Sequence, residues 1–237
     1  MRPLRLATLL ISVLMGLGCA VTGRSRVVDV EAPMGLPAPV AVAPVEAEPG
    51  YAKLHAVGTY PFGKPRPRDL ETLGRSLSQT LGAEQARPDA PTVHVVMRRV
   101  LVETSNADIG VIACVAWALV APDGTRLAEQ QVYAAEFRVG PVTIGRVKNT
   151  VHEGLVRHLA QQSARVLDGE AARAPAGPYV FASFEEAAAR FPGSVRAVIP
   201  TATAAGGLTG TLAEMGPSHR AFARVEEPMD WSRWLAR

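Results

Sequence analysis

One histidine-rich run in the sequence has the composition of a metal site. His152-Glu153-Gly154-Leu155-Val156-Arg157-His158 contains the residues of the zinc-binding motif His-Glu-x-x-His, whose two histidines lie four residues apart on one helical face. In this chain they are six residues apart, which is about 240° around a helix axis. The two side chains therefore point in different directions, and we predict a solvated helix face.

The remaining residues that could do chemistry are isolated. His55, His94 and His219 have no acidic residue at ligand spacing, and no phosphate loop, nucleophile elbow or dinucleotide fingerprint occurs. Cys114 lies in an apolar run, which predicts a buried packing thiol rather than a reactive thiolate. We therefore predict a protein that is not an enzyme, with no catalytic residue, metal ligand or cofactor. An envelope hydrolase with an unrecognised site is the least favoured alternative.

Two consecutive arginines interrupt a strand-like run. Because neighbouring strand residues face opposite sides of a sheet, either Arg98 or Arg99 must face the predicted helices and the other the open face. Such a side chain could bind an anionic lipid headgroup. We favour pairing with a local acid such as Glu103 or Glu136, since long basic side chains usually cover sheet surface.

The chain opens with a basic and then apolar segment. Arg2 and Arg5 precede a mainly apolar run over residues 6–15, and Gly16 and Gly18 end that run. A membrane-spanning helix needs about 20 apolar residues. The shorter run predicts a cleaved signal peptide over residues 1–18.

Gly16-Leu17-Gly18-Cys19-Ala20 resembles the lipobox of bacterial lipoproteins, although Gly16 stands where leucine is usual. The resemblance implies that Cys19 is acylated and becomes the first mature residue, anchoring the protein to the membrane. Ala20 in place of aspartate implies the periplasmic face of the outer membrane. The alternative is an ordinary secretory signal cut near Ala20, with Cys19 discarded.

Composition argues against nucleic-acid binding. Removing residues 1–18 reduces the basic residues from 25 to 23 and leaves 22 acidic ones, a net charge of +1. Few aromatic residues are available for base stacking, and no dense basic face is evident. With Cys19 lipidated, Cys114 has no disulfide partner, so the core must hold the fold.

The elements form one compact unit between two irregular regions. Residues 19–66, rich in proline, predict a lipid anchor and an extended stalk in which 39–45 could be an edge strand. The core domain spans 67–169: a helix over 69–81 capped by Asp69, strands over 92–102, 109–120 and 127–139, and a helix over 143–167. A Pro-Asp-Gly-Thr turn at 122–125 joins two strands as a hairpin.

Residues 170–237 are rich in alanine, glycine and proline. We expect a mostly irregular tail with a short strand at 179–182 and short helices at 184–191 and the end. Trp231, Trp234 and Leu235 share one face of that last amphipathic helix. Docking on the chain's own domain is favoured, and contact with a partner is the alternative.

Together these elements predict an α+β two-layer sandwich, with an antiparallel sheet of three or more strands packed by two helices. The core resembles envelope lipoproteins classed as ABC-transport auxiliary components, which share a strand pair joined by an Asp-Gly turn and followed by a helix. The resemblance implies a non-enzymatic accessory of an envelope assembly or lipid-transport complex, with an envelope protein complex as partner. The alternative is a lipoprotein that binds a small lipid or glycan.

Overall fold

The computed structural model describes residues 26–31, 36, 38–48, 53–55, 67–105, 108–191, 201–202, 208–209 and 228–235. Its centre is a sheet of three long antiparallel strands, β4 (Thr92–Ser105), β5 (Asp108–Val120) and β6 (Arg126–Arg138). Every residue of β5 from Gly110 onward is buried, as its continuous apolar sequence predicts for a strand covered on both faces. No helix among the described residues is long and apolar enough to span a bilayer.

The turn after β5 forms the predicted hairpin. The Ala121 amide donates to the Thr125 carbonyl at 2.8 Å, and Asp123 Oδ1 accepts from the Thr125 amide at 2.9 Å. Gly124 has φ +86°, a left-handed conformation that glycine adopts without steric cost. The Pro-Asp-Gly-Thr sequence thus determines the β5–β6 register locally.

Two amphipathic helices cover one face of the sheet. Helix α1 (Pro67–Thr80) buries Leu73 and Leu77, and helix α2 (Ile144–Leu167) begins after Thr143, whose hydroxyl accepts the Arg146 amide. Gly169, with φ +82°, follows the end of α2. Both helices and the α+β class are confirmed.

Asp69 does not cap α1. The helix begins at Pro67, a residue suited to the first helical turn, so Asp69 lies inside the first turn and is 8% exposed. Its carboxylate reaches Lys148 instead.

The first edge of the sheet is parallel, so the predicted antiparallel sheet is mostly rather than entirely antiparallel. Strands β1 (Ala41–Val42), β2 (Glu46–Ala47) and β3 (Lys53–His55) pair in succession with β4. Helix α1 carries the chain back before β4 begins, and a helical crossover between neighbouring strands makes them parallel. The predicted edge strand within 39–45 is confirmed at β1.

The described part of the predicted stalk belongs to the domain. Val30 and Val40 are buried in the core, the Val28 amide donates to Ser76 Oγ at 3.0 Å, and the Thr80 hydroxyl donates to the Val30 carbonyl at 3.4 Å. An extended stalk over all of 19–66 is therefore wrong for the described residues 26–31 and 38–48. Proline content suggested extension correctly, but the alternating valines pack on α1.

The opposite face of the sheet is also covered, so the two-layer description needs a partial third layer. Strand β7 (Val180–Phe181) pairs with β6, and helix α3 (Phe184–Ala188) packs on this face. Strands β8 (Thr201–Ala202) and β9 (Leu208–Thr209) form a small antiparallel pair, and helix α4 (Ser232–Leu235) follows. The tail is thus less irregular than its composition predicts.

Candidate functional site

The two histidines of the metal-like run are separated, as their spacing predicts, but neither is solvated. His152 is 6% exposed and His158 is 7% exposed, so the predicted solvated face is wrong. Helix α2 packs on the sheet and against α1. These contacts bury a wider face of α2 than its stripe of leucines and valines predicts. Within the described residues, no group of three or more His, Cys, Asp or Glu side chains could hold a metal.

His152 lines a small internal cavity between the helices and the sheet. Lys148 Nζ donates to Asp69 Oδ2 at 3.2 Å, joining α2 to α1, and both side chains are about nine-tenths buried. The cavity of about 20 Å³ is otherwise lined by Leu70, Met97, Val100, Val111, Ala113 and Val151. A space of this size accommodates a water molecule rather than a substrate. The cluster therefore joins two helices through a buried ion pair.

His158, six residues further along α2, belongs to a separate network. Its Nε2 is 3.1 Å from Gln130 Oε1, which also accepts from Trp117 Nε1 at 3.4 Å, while Gln130 Nε2 donates to the Arg173 carbonyl at 2.9 Å. With Gln130 Oε1 as acceptor, the neutral ring carries its proton on Nε2. Burial lowers the pKa of His158 to about 4. The neutral imidazole thus connects α2 to β6 at neutral pH.

Cys114 is a packing residue, as predicted. Its side chain is fully buried among Leu101, Ile112 and Tyr133 on the face opposite the two long helices. Burial raises the pKa of its thiol to about 12, so the reactive thiolate is not formed at neutral pH.

A β-bulge changes which way the two arginines point. Met97 pairs with Val115 and Arg99 pairs with Cys114, so Arg98 is an extra residue in β4. The bulge shifts by one residue the pattern of which β4 side chains face the helices. On β4 the helix side of the sheet receives Val93, Val95 and Met97 before the bulge, and Val100 and Val102 after it.

The bulge brings both guanidinium groups to one acid on the edge strand. Arg98 Nη2 lies 3.2 Å from Glu48 Oε1, and Arg99 Nη1 lies 3.0 Å from Glu48 Oε2. Arg98 also donates through Nη1 to Gln131, whose amide donates to the Tyr133 hydroxyl at 2.9 Å. The expectation that the arginines face opposite sides is therefore wrong.

Glu136, one of the two predicted acids, is not the partner of either arginine. Glu136 pairs with Arg138 at 2.5 Å, and it lies opposite Val111, a residue of the helix-side core. The side chain of Glu103 lies outside the described part. Glu48 was missed because it falls in the predicted stalk, although its alternation with Glu46 across Ala47 is a strand-like signal.

The C-terminal aromatic residues divide into a buried anchor and a partly exposed pair. Trp231 is 3% exposed and packs against Val96, Ala116, Ala118 and Val120 of the chain's own sheet. This confirms docking on the domain and makes Trp231 a poor partner contact in this arrangement. Trp234 and Leu235 are only partly buried, so a partner contact there stays a prediction.

A glycine in β5 permits another contact that the sequence did not reveal. A Cβ on Gly110 would lie 1.9 Å from Phe191 Cε1, so the fully buried Phe191 ring lies directly on the glycine backbone. An isolated glycine inside a buried strand is the signal that could have suggested such a close approach. This contact holds the segment after α3 against the sheet.

An open groove runs between α1 and the edge segment. Its volume is about 540 Å³, and apolar residues of the edge segment form one wall while α1 forms the other. The lining residues are Val42, Ala43, Pro44, Val45, Pro67, Leu70, Glu71, Gly74, Arg75 and Ser78. Val45 Cγ2 would lie 3.3 Å from a Cβ on Gly74, so this glycine lets the two walls approach. The volume is in the range of small-molecule sites.

Cys19, the predicted lipidation site, lies outside the described residues.

Comparison with known proteins finds no matching family model and no matching curated protein. Among solved structures, the chain is distantly similar to a lipoprotein candidate of Caulobacter crescentus CB15, with 14% identity and a TM-score of 0.36, covering 53% of this chain and 90% of that one. It is also similar to lipoprotein GNA1162 of Neisseria meningitidis, with 12% identity and a TM-score of 0.27, covering 53% and 99%.

An uncharacterized protein aligns with 14% identity and a TM-score of 0.33 over 60% of this chain and 99% of its own length. The structural similarity to bacterial lipoproteins is therefore distant. Likeness at this level does not transfer a function.

Proposed function

We propose that this chain is a bacterial lipoprotein, anchored through acylated Cys19 at the periplasmic face of the outer membrane, and a non-enzymatic accessory of an envelope assembly or lipid-transport complex. The observation that carries the proposal is the sequence at the start of the chain. Two arginines, a short apolar run and Gly18-Cys19 occur in the order that precedes lipidation.

The packing of residues 26–31 supports a domain held close to the membrane. The Arg26 amide donates to Asn149 Oδ1 at 3.0 Å, so the chain is already attached to α2 at that residue. Seven residue steps separate Cys19 from Arg26, and a fully extended chain covers about 25 Å over that length. A domain on so short a tether contacts membrane-bound partners directly rather than reaching across the periplasm.

The contacts of the reactive side chains support a non-enzymatic role. Lys148 is paired with Asp69, His158 is held neutral by burial and contacts Gln130, and the Cys114 thiol is buried among apolar groups. Each of these groups has a structural contact that explains its position. Partly buried Trp234 on the last helix is a candidate contact for the partner complex.

Replacing Cys19 tests the anchor. We expect Cys19→Ser to remove the acyl chains, and mass spectrometry of the wild-type N-terminus to show acylated Cys19 as the first residue. Cys114→Ser is the matched control, because it removes the other cysteine and leaves the lipobox intact. The measurement is the mass of the N-terminal peptide from isolated membranes.

A mature wild-type chain that starts at an unmodified Ala20 would overturn the anchor. Cross-linking in intact membranes addresses the accessory role with the same wild-type preparation. Recovery of the monomer alone would count against that role, even where Cys19 is acylated.

A second candidate function is the binding of a small lipid-like ligand, which is favoured by the groove beside α1. We expect short-chain lipids to raise the thermal unfolding temperature of the wild type. Ser78→Trp places a large side chain in the groove and should abolish that rise. Gln161→Trp on the exposed face of α2 is the matched control. An equal rise in both variants would exclude this groove as the site.

A further inference from the structure

We propose that the cluster of Arg98, Arg99 and Glu48 binds a phosphate group, held by Arg99. The proposal goes beyond both candidate functions, because it places a phosphate site apart from the groove, and it is independent of acylation at Cys19. The cluster lies on the sheet face opposite α1 and α2, whereas the groove beside α1 lies at the sheet edge. It exists only because the bulge at Arg98 turns two consecutive side chains to one face.

Arg99 retains an unused recognition edge. Its Nη1 donates to Glu48 Oε2 at 3.0 Å and to the Arg98 carbonyl at 2.6 Å. Within the described part of the chain, its Nε and Nη2 make no hydrogen bond, and 17% of the side chain is exposed. The Nε and Nη2 groups project two parallel N–H bonds from one edge of the guanidinium plane. That edge matches two oxygens of a phosphate group.

Arg98 and Glu48 hold Arg99 in place. Arg98 is 5% exposed and connects Glu48 to Gln131 of β6, so the carboxylate is fixed by a buried cation on one side. The Glu48 amide donates to the Met97 carbonyl at 3.0 Å, which fixes the backbone as well. A guanidinium oriented in this way loses little further conformational entropy when it binds an anion.

The charge of the cluster also favours an anion. Among the described side chains, Arg98 and Arg99 share the single carboxylate of Glu48, so their two positive charges exceed the negative charge paired with them there. Glu46 is the next acid along the same edge segment, and its charge acts on His94. One phosphate anion would neutralise the remaining charge. Low water access strengthens such an interaction relative to an exposed arginine.

Titration with inorganic phosphate tests the site in the full chain carrying Cys19→Ser, which removes the acyl chains. The readout is the phosphate-dependent change in the backbone amide resonances of β4 at constant ionic strength, which every variant retains. We expect Arg99→Gln and Arg99→Lys to weaken phosphate binding by about tenfold, the effect of losing one charged bidentate contact. Arg99→Lys keeps the positive charge and can still pair with Glu48, so it tests the site if Arg99→Gln disturbs folding.

Arg157→Gln is the matched control. Arg157 also pairs with an acid, Glu153, and lies on α2 on the other side of the sheet. Arg157→Gln changes the net charge by the same amount as Arg99→Gln and should leave phosphate binding unchanged. Equal weakening by Arg157→Gln and Arg99→Gln would overturn the proposal, as would no saturable binding by the parent chain.

Vesicles distinguish the two sources of a phosphate group. Phosphatidylglycerol vesicles are compared with phosphatidylcholine vesicles, which give the baseline set by the apolar N-terminal segment. Preference for phosphatidylglycerol that Arg99→Lys reduces supports a lipid headgroup as the ligand. Binding of inorganic phosphate without that preference supports a free phosphate ester. If the chain neither binds inorganic phosphate nor prefers phosphatidylglycerol vesicles, the proposed phosphate site is wrong, whether or not Cys19 is acylated in cells.

Discussion

Asp69→Leu is expected to destabilise the protein by about 3–5 kcal/mol, because it leaves the Lys148 ammonium buried without its carboxylate. Lys148→Met should cost a similar amount by leaving the carboxylate of Asp69. In the double variant both charges are gone, so most of the loss should be recovered. The measurement is the free energy of unfolding from urea titration of all four proteins.

The exposed pair Glu153–Arg157 on the same helix provides the control. Its side chains are 46% and 56% exposed, and its N–O distance is 2.7 Å. We expect Glu153→Ala to cost about 0.5 kcal/mol or less, since water screens such a pair. If Asp69→Leu costs no more than Glu153→Ala, or if the double variant loses the sum of both single losses, the buried pair does not act as described.

His158→Gln is expected to reduce the loss of stability in acid. The His158 pKa is about 4 in the folded protein, below the ordinary value of 6.5, because burial disfavours the charged ring. Between these values the unfolded chain takes up a proton that the folded chain does not. The stability linked to His158 is therefore fully present above pH 6.5 and is lost as the pH falls toward 4.

Between about pH 7 and about pH 4.5, His158 should account for a loss of about 2 kcal/mol that the variant lacks. Glutamine does not titrate in this range and can still donate to Gln130. The measurement is urea unfolding of wild type and variant at both pH values.

His94→Gln is the matched control for this experiment. His94 is less buried than His158, and its pKa is lowered by burial while Glu46 opposes the shift. Its replacement should change the acid sensitivity less. If the free energy of unfolding falls as much between the two pH values in His158→Gln as in the wild type, the ring is not held neutral by its surroundings.

Local patterns were enough to locate the main elements. Leucines three and four residues apart predicted α1, continuous apolar content predicted the buried strand β5, and Pro-Asp-Gly-Thr predicted the hairpin. In each case the relevant interactions lie within one turn of helix or between adjacent strand residues. These predictions did not depend on which distant segments meet.

The predictions about individual side chains failed where distant segments meet. Glu48 becomes the partner of both arginines because the edge strand runs parallel to β4 and because a single extra residue shifts the phase of that strand. A shift of one residue moves a side chain to the other face of a sheet. Simple alternation therefore assigned Arg98 and Arg99 to opposite faces.

For this protein the sequence by itself determined the order of the elements, the hairpin turn, the packing role of Cys114 and the hypothesis of an anchor at Cys19. The tertiary structure decided that Asp69 meets Lys148, that both histidines of α2 are buried and that Arg98 and Arg99 share one acid. The physical reason is the range of the interactions. Hydrogen-bonded turns and amphipathic stripes are encoded by neighbours, whereas buried charge pairs depend on the packing of helices and strands far apart in the chain.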